Sequence, residues 1–261
     1  MFLNPMYSSE ELAPLYPPDY YAYQDNLPTN GWKHILKRIL RYETSTQDPK
    51  IASPGKMLDI GCGSGWFIHE MQSRGWEAHG VEINNVAAQM GRSTWGLNIF
   101  SGTLKQADFP AEYFDYIRSN HSFEHISDPN ETLDEIRRIL RPEGKLLIGV
   151  PNIASWNARL FRQYWWYLGA PVHPFNYSVK TLSTLLKNHS FRVEKVAYNS
   201  DYGGIVGSMQ IWLNRNTNRK SSEGLLINNV ALRLLGNWAA KLIDLFAAGD
   251  AIEVTAVKAA N

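Results

Sequence analysis

The sequence predicts an α/β fold, doubly wound, on a mostly parallel seven-stranded sheet whose last strand is antiparallel. Three observations predict it. From Lys56 onward, short apolar runs alternate with segments of helical periodicity. A glycine-rich turn, LDIGCGSG (58–65), stands directly between the first run and the first helical pattern. An acidic residue, Glu82, ends the second run, at the edge where folds of this kind hold the hydroxyls of a ligand.

The elements follow in order. KMLDI (56–60) reads as a buried strand, GSGWFIHEMQSRG as turn and helix, and WEAHGVEI (76–83) as a second strand, which together make a βαβ unit. A helix over 84–94 comes next, then a short strand at Asn98–Ser101 and the buried run FDYIRSN (114–120). SDPNETLDEIRRILRPEG is a well-punctuated helix: Ser127 or Asp128 caps it, Pro129 suits its first turn, and Pro142 with Gly144 ends it. KLLIGVPN (145–152) is the fifth strand, Ser178 to Asn188 a helix, FRVEKVAYN (191–199) the sixth strand and AIEVTAVK (251–258) the seventh. Reached through a Gly249-Asp250 turn after a long insertion, the seventh is free to pair antiparallel at or near a sheet edge.

The domain reading is an N-terminal lid and helical segment over 1–50 and a single domain over 51–261, with a cap insertion at 152–177 and an amphipathic helical insertion at 208–248. A formal charge of +1 gives no broad basic field, so nucleic acid is not an expected partner. The lone cysteine, Cys62, permits no internal disulfide, and the N-terminus has neither a basic n-region nor an apolar h-region; the cytoplasm is the expected location. No apolar run reaches the roughly eighteen residues of a spanning helix. The nearest, 225–248, confines Asn229, Arg233, Asn237, Lys241 and Asp244 to one narrow helical stripe. Its apolar remainder is expected to pack on the core or on a second subunit of a homodimer, with contact to a membrane surface, peripheral to the bilayer, as the alternative.

Glycines at 61, 63 and 65 let backbone approach a ligand, and the helix start beyond them favours a polar or anionic group. Glu82, 23 residues after Asp59, is placed to hold both hydroxyls of a ribose, which implies a nucleoside-containing cofactor. The spacing D-x-G-x-G-x-G differs from a dinucleotide fingerprint, and the leading Asp59 is awkward beside a pyrophosphate but well placed near an α-amino group, directly or through water. That combination points to S-adenosylmethionine, with S-adenosylhomocysteine as product. Cys62 supplies a small side chain and a loop N–H; it is not read as a nucleophile.

On these residues the chain resembles the class I S-adenosylmethionine-dependent methyltransferases, over residues 56–152. LDIGCGSG matches their first motif, and FDYIRSNHSFEHISDP followed by LRPEGKLLIGVPN is similar to the small-molecule branch that includes ubiquinone-type O-methyltransferases and glycan enzymes. The resemblance implies a Rossmann-like methyltransferase fold and cofactor contacts from Asp59, Gly61, Cys62, Gly63, Gly65, Glu82 with Ile83, Asp108 and Phe109 at the adenine, and Asn120 and His121 beside the methionine part. LYPPDYYAY (15–23) and PNIASWNARLFRQYWWYL are similar, more loosely, to methyltransferases encoded with polysaccharide-synthesis enzymes. Where base methyltransferases carry Asn-Pro-Pro-Tyr, this chain has Ser119-Asn120-His121-Ser122, which argues against nucleic-acid substrates.

HSFEH (121–125) also fits H-x-x-E-H, a zinc-protease helix, but the run sits between a buried strand and Ser127-Asp128-Pro129, with room for little over one helical turn. No metal is therefore expected. A hydroxyl acceptor needs a base, and histidine suits that task near neutral pH. His121, His125 and His173 are the candidates, each at or near the C-terminal edge of the sheet, and the residue pattern does not choose among them. YWWYLGAPVHPFNYS (164–178) follows the fifth strand, so Trp165, Trp166 and Phe175 either roof the reacting methyl group or form the insertion's own small core; Tyr16, Tyr20, Tyr21 and Tyr23 add a lid or anchor the tail. The functional reading is an O-methyltransferase for a small-molecule or glycan-like acceptor. The alternatives are a quinone or lipid-like acceptor at the membrane surface, and a cofactor-binding module without turnover.

Overall fold

The computed structural model describes residues 54–217 and 224–259. The expected lid over 1–50, with its tyrosines, lies outside the described residues.

One seven-stranded sheet organises the chain, in the order β3-β2-β1-β4-β5-β7-β6. The strands are β1 (Lys56–Ile60), β2 (Glu77–Glu82), β3 (Asn98–Ser101), β4 (Phe114–Asn120), β5 (Leu140–Pro151), β6 (Phe191–Tyr198) and β7 (Ala251–Lys258). The first five run parallel, and β7 slots antiparallel between β5 and β6, with Leu146 and Val193 both opposite Ala256. Strand order reverses between β1 and β4, which puts a ligand crevice beyond their C-terminal ends.

Helices cover both faces because both faces are apolar. On one, α3 (Pro129–Ile139) and α5 (Val179–Asn188) bury Leu133, Ile136, Leu182 and Leu186 against β4, β5 and β7. On the other, α1 (Trp66–Ser73) and α2 (Asn85–Trp95) bury Ile68, Met71 and Ala88 against Met57, Tyr116 and Leu147. Asp128 caps α3 by accepting from Glu131 N at 2.9 Å, as its spacing predicts. The helix stops at Ile139, earlier than Pro142 suggests, because Arg141 precedes the proline and is pushed out of the α region while Leu140 already pairs with Phe114.

The segment 225–248 departs from expectation. Asn229 breaks it into α7 (Leu225–Asn228) and α8 (Val230–Leu245) by accepting from Leu232 N, which is helix-capping chemistry. The polar stripe then turns toward the protein rather than away from it. Asn237 Oδ1 accepts from Tyr202 N at 2.8 Å, Lys241 Nζ donates to Asn199 Oδ1 at 3.0 Å, Asp244 accepts from Ser200 N, and the Arg233 guanidinium lies 4.5 Å from the Tyr202 ring. Leu235, Trp238, Leu245 and Phe246 are left exposed, at 63%, 68%, 81% and 68%. Trp156, opening the short α4 (Trp156–Phe161), stacks on Phe246 at 5.8 Å and extends the patch. The expected burial of this apolar face on the core is thus corrected. Inward polar partners at four positions outweigh the periodicity argument, which cannot tell which side of an amphipathic helix meets the protein.

Candidate active site

The three glycines of the first turn do three different things. All have left-handed backbone, with φ of 70°, 57° and 80° at Gly61, Gly63 and Gly65. A Cβ on Gly61 would fall 2.3 Å from Ser122 Cβ, and one on Gly65 would fall 2.4 Å from Leu97 Cδ1, so those glycines let the turn press on β4's loop and on β3. A Cβ on Gly63 would meet nothing within 4 Å. That side of the loop is open, as a ligand cradle requires.

Glu82 organises the turn. Its carboxylate accepts from Gly63 N and from Asn84 N, both at 2.8 Å, and it is 5% exposed. Each oxygen keeps a lone pair for a ligand hydroxyl. Ile83, next in the chain, is 70% exposed and offers an apolar surface beside that carboxylate. Gly61 and Cys62 donate N–H to Val81 O, so these loop N–H groups are spent inside the protein. Burial, then the charges of Asp59 and Glu82, push the Cys62 thiol well above its usual range, which removes it as a nucleophile.

Asp59 has a structural partner that its motif does not announce. It is 2% exposed, and both its oxygens are held by Arg118 Nη1, at 2.9 and 2.8 Å. The guanidinium also lies over the Phe67 ring at 3.9 Å. Asp59 therefore ties β1 to β4 beneath the turn through an ion pair that engages both of its oxygens. Sequence reasoning missed Arg118, although a cation inside an apolar strand is itself a sign of a buried partner.

At the last residue of β4, Asn120 Oδ1 is buried with no hydrogen-bond partner, over Gly149, where a Cβ would lie 2.1 Å away. It is an acceptor awaiting a donor, as an α-amino group would be. Ser122 Oγ donates to Ile60 O at 2.6 Å and fixes this loop against β1. Asp108 is exposed on left-handed backbone, but Phe109 turns its ring into a cluster with His79 and Phe114 at 6.0 and 4.9 Å. Gly102 N donates to Glu82 O instead, so the start of the loop after β3 lies beside the site, which sequence reasoning passed over.

The three candidate histidines converge. His121, at φ 51°, donates its N–H to Gly149 O and places Nδ1 3.5 Å from Glu124 Oε1. Phe123–His125 is a single 3-10 turn, so the zinc-protease helix does not form. His125 and His173 meet edge to face at 4.6 Å between ring centroids. Glu124, 2% exposed, sits among them. Burial alone would raise its pKa, but His121, His125 and His173 bring it below the ordinary range, so it is ionised. For His121, burial opposes the charge and Glu124 favours it, with a net upward shift; burial takes His173 down to about 4.

His173 reaches this place because the insertion folds back. Asn152 bridges Tyr177 at its base, and Asp250 pins its interior by accepting from Ser155 Oγ, Asn157 Nδ2 and Trp165 Nε1 at 2.8, 2.6 and 2.7 Å. Trp165 is 1% exposed inside the insertion, whereas Phe175 stacks with Tyr177 and packs on the main core of the sheet. Trp166 packs over Gly207, and Tyr167 donates to Asp201.

A doubly wound sheet with this strand order, a glycine cradle and a Glu82-type acid defines a class I S-adenosylmethionine-dependent methyltransferase. Residues 26–196 match the family described as methyltransferase domain, and the chain belongs to it. It is 24% identical over 149 residues to a demethylmenaquinone methyltransferase of Listeria welshimeri, a match covering 52% of this chain and 59% of that relative. It is 28% identical over 112 residues to a ubiquinone biosynthesis O-methyltransferase of Hahella chejuensis, covering 40% and 47%. The chain thus spans about half to three fifths of these curated relatives. Among solved structures, Haemonchus contortus phosphoethanolamine N-methyltransferase 2, bound to phosphomonomethylethanolamine and S-adenosylhomocysteine, is similar in fold, with TM-score 0.59 and 19% identity over 98% of this chain and 61% of that one.

Proposed function

We propose that this methyltransferase modifies an oxygen of a small-molecule or saccharide-type acceptor. One observation carries the reading: His121, His125 and His173 gather around the buried Glu124 beyond β4, between the glycine cradle and the folded-back insertion. When bound, S-adenosylmethionine supplies a methyl group on a positively charged sulfur. The remaining work falls to the chain. Glu82 takes the ribose hydroxyls, Gly63 leaves space for the ligand, Ile83 gives the adenine an apolar face and Asn120 Oδ1 accepts from the amino group. His121 takes the acceptor's hydroxyl proton, and Glu124 at 3.5 Å stabilises the imidazolium that results. The proof is incubation with methyl-labelled cofactor and fractionated cell extract, followed by mass analysis. Label on oxygen of a hydroxylated acceptor is the expected result. Label on nitrogen or carbon overturns the reading, and tight cofactor binding without S-adenosylhomocysteine from any acceptor pool makes the chain a silent binding module.

A second reading, a quinone or lipid-like acceptor at a membrane surface, is favoured by the outward apolar face of α8. Among the described residues no helix is long and apolar enough to cross a membrane. Trp156, Trp238 and Phe246 are the kind of rings that settle at a lipid–water boundary. Co-sedimentation with anionic vesicles, abolished in Trp238→Glu/Phe246→Glu, is expected on this reading. A wild-type protein that stays in the supernatant removes it, and a concentration-dependent dimer disrupted by the same substitutions assigns the face to a second copy.

A further inference from the structure

Glu124 and His125, from the 3-10 turn after β4, and His173, from the insertion, bring one ligand-type atom each to within 4.8 Å of one another. The hydrogen bonds of the two imidazoles separate the nitrogen that faces a carbonyl from the one left to ligate. His125 Nδ1 lies 2.9 Å from Val172 O and His173 Nδ1 lies 3.1 Å from Tyr167 O. A carbonyl only accepts, so Nδ1 carries a hydrogen in both rings, and in the neutral ring a cation requires Nε2 is the nitrogen with the lone pair. Imidazoles that bind metals are held in the same way, the second nitrogen donating to a carbonyl or carboxylate that sets tautomer and ring orientation. The carboxylate adds an independent sign: Glu124 Oε1 faces His121, while Oε2 is buried with no hydrogen-bond partner. A buried carboxylate oxygen in that position lacks the donor or cation it needs.

We infer that Glu124, His125 and His173 form a binding site for a borderline divalent cation, Zn²⁺ foremost, with coordination positions left open toward the acceptor. Two imidazoles and a carboxylate suit zinc or cobalt and are a poor set for the hard, oxygen-seeking calcium and magnesium. A tetrahedral zinc with bonds near 2.0–2.1 Å spaces its ligand atoms about 3.3 Å apart, and ligand-type atoms of these three residues already lie within 4.8 Å of one another, so the side chains draw together when the ion enters. An acceptor hydroxyl on the open position has its pKa lowered by the cation, and its proton passes to His121. That role, unlike the binding itself, rests on the hydroxyl-acceptor reading above.

The test uses the full chain stripped by a chelator and titrated with Co²⁺, whose visible absorption reports an ordered nitrogen and oxygen shell. One ion per chain is expected, displaced by Zn²⁺, with affinity lowered on the order of 100-fold in His125→Asn and in His173→Asn. His189→Asn, at a histidine bound to Asp134 and Asn130 elsewhere on the surface, leaves affinity unchanged. Calorimetry with S-adenosylhomocysteine shows that each variant is folded. No absorption band with the wild type, or undiminished bands in both site variants, overturns the site. Since binding is read without turnover, a failed acceptor assignment leaves this outcome intact. An unchanged methylation rate after metal removal overturns the deprotonating role.

Discussion

Replacing Asp59 by alanine separates an anchor from a ligand contact. The two Arg118–Asp59 contacts, at 2.9 and 2.8 Å, involve side chains only 10% and 3% exposed. At an effective dielectric of about 20 the Coulomb attraction at this spacing is about 6 kcal/mol, much of it offset by desolvation. Removing one partner strands the other charge, and the expected loss is about 3–5 kcal/mol, or roughly 10–15 °C in Tm for a domain of this size. Urea unfolding measures the loss in Asp59→Ala, in Arg118→Met and in the pair Asp59→Val/Arg118→Met, where replacing both charges restores most of the stability. Calorimetry at low temperature, where Asp59→Ala stays folded, then finds cofactor affinity reduced by less than about tenfold, or roughly 1.4 kcal/mol. A variant that loses less than about 1 kcal/mol of stability yet more than about 100-fold in affinity refutes the argument and makes Asp59 a direct contact.

Gly63→Ala incurs about 1 kcal/mol of left-handed strain but meets no protein atom, so it folds while its methyl occupies the cradle. Cofactor dissociation constants should rise on the order of tenfold or more with little change in Tm; equal affinity places the ligand elsewhere. Glu82→Gln leaves one of Gly63 N and Asn84 N without an oxygen acceptor, which lowers stability by about 1–3 kcal/mol and weakens cofactor binding in titration calorimetry. Asp250→Ala deprives Ser155, Asn157 and Trp165 of their acceptor. A loss of about 3–5 kcal/mol and rapid proteolysis within 152–177 are expected, and wild-type protection there contradicts the anchoring role.

The sheet was legible because most strands are short apolar or alternating runs set off by glycine or proline, and the last strand's freedom to pair antiparallel goes with its long approach. The glycine cradle and Glu82 were legible from spacing, since three left-handed residues between strand and helix admit few side chains. Asp59 shows the limit of a motif: its letter is right for the family, but its partner, Arg118, lies 59 residues away and comes beside it only when β4 pairs with β1. Phe109 shows another, because an aromatic next to an expected contact has no local signal for which way it turns. The inversion of α8 was hidden for the same reason. A polar stripe reads as solvent-facing until Tyr202, Asn199 and Ser200 supply it with partners.

Asp250 precedes β7, the strand that enters last, between β5 and β6. The roof over the histidines is therefore fastened by a residue that leaves the ribosome after nearly everything else in the domain. A nascent chain can assemble β1 to β4 and the nucleoside cradle early, but closure over the reacting centre must wait for β7 and the turn before it. A chain cut short of Asp250 would retain every cofactor-cradling residue and still lack a finished catalytic chamber.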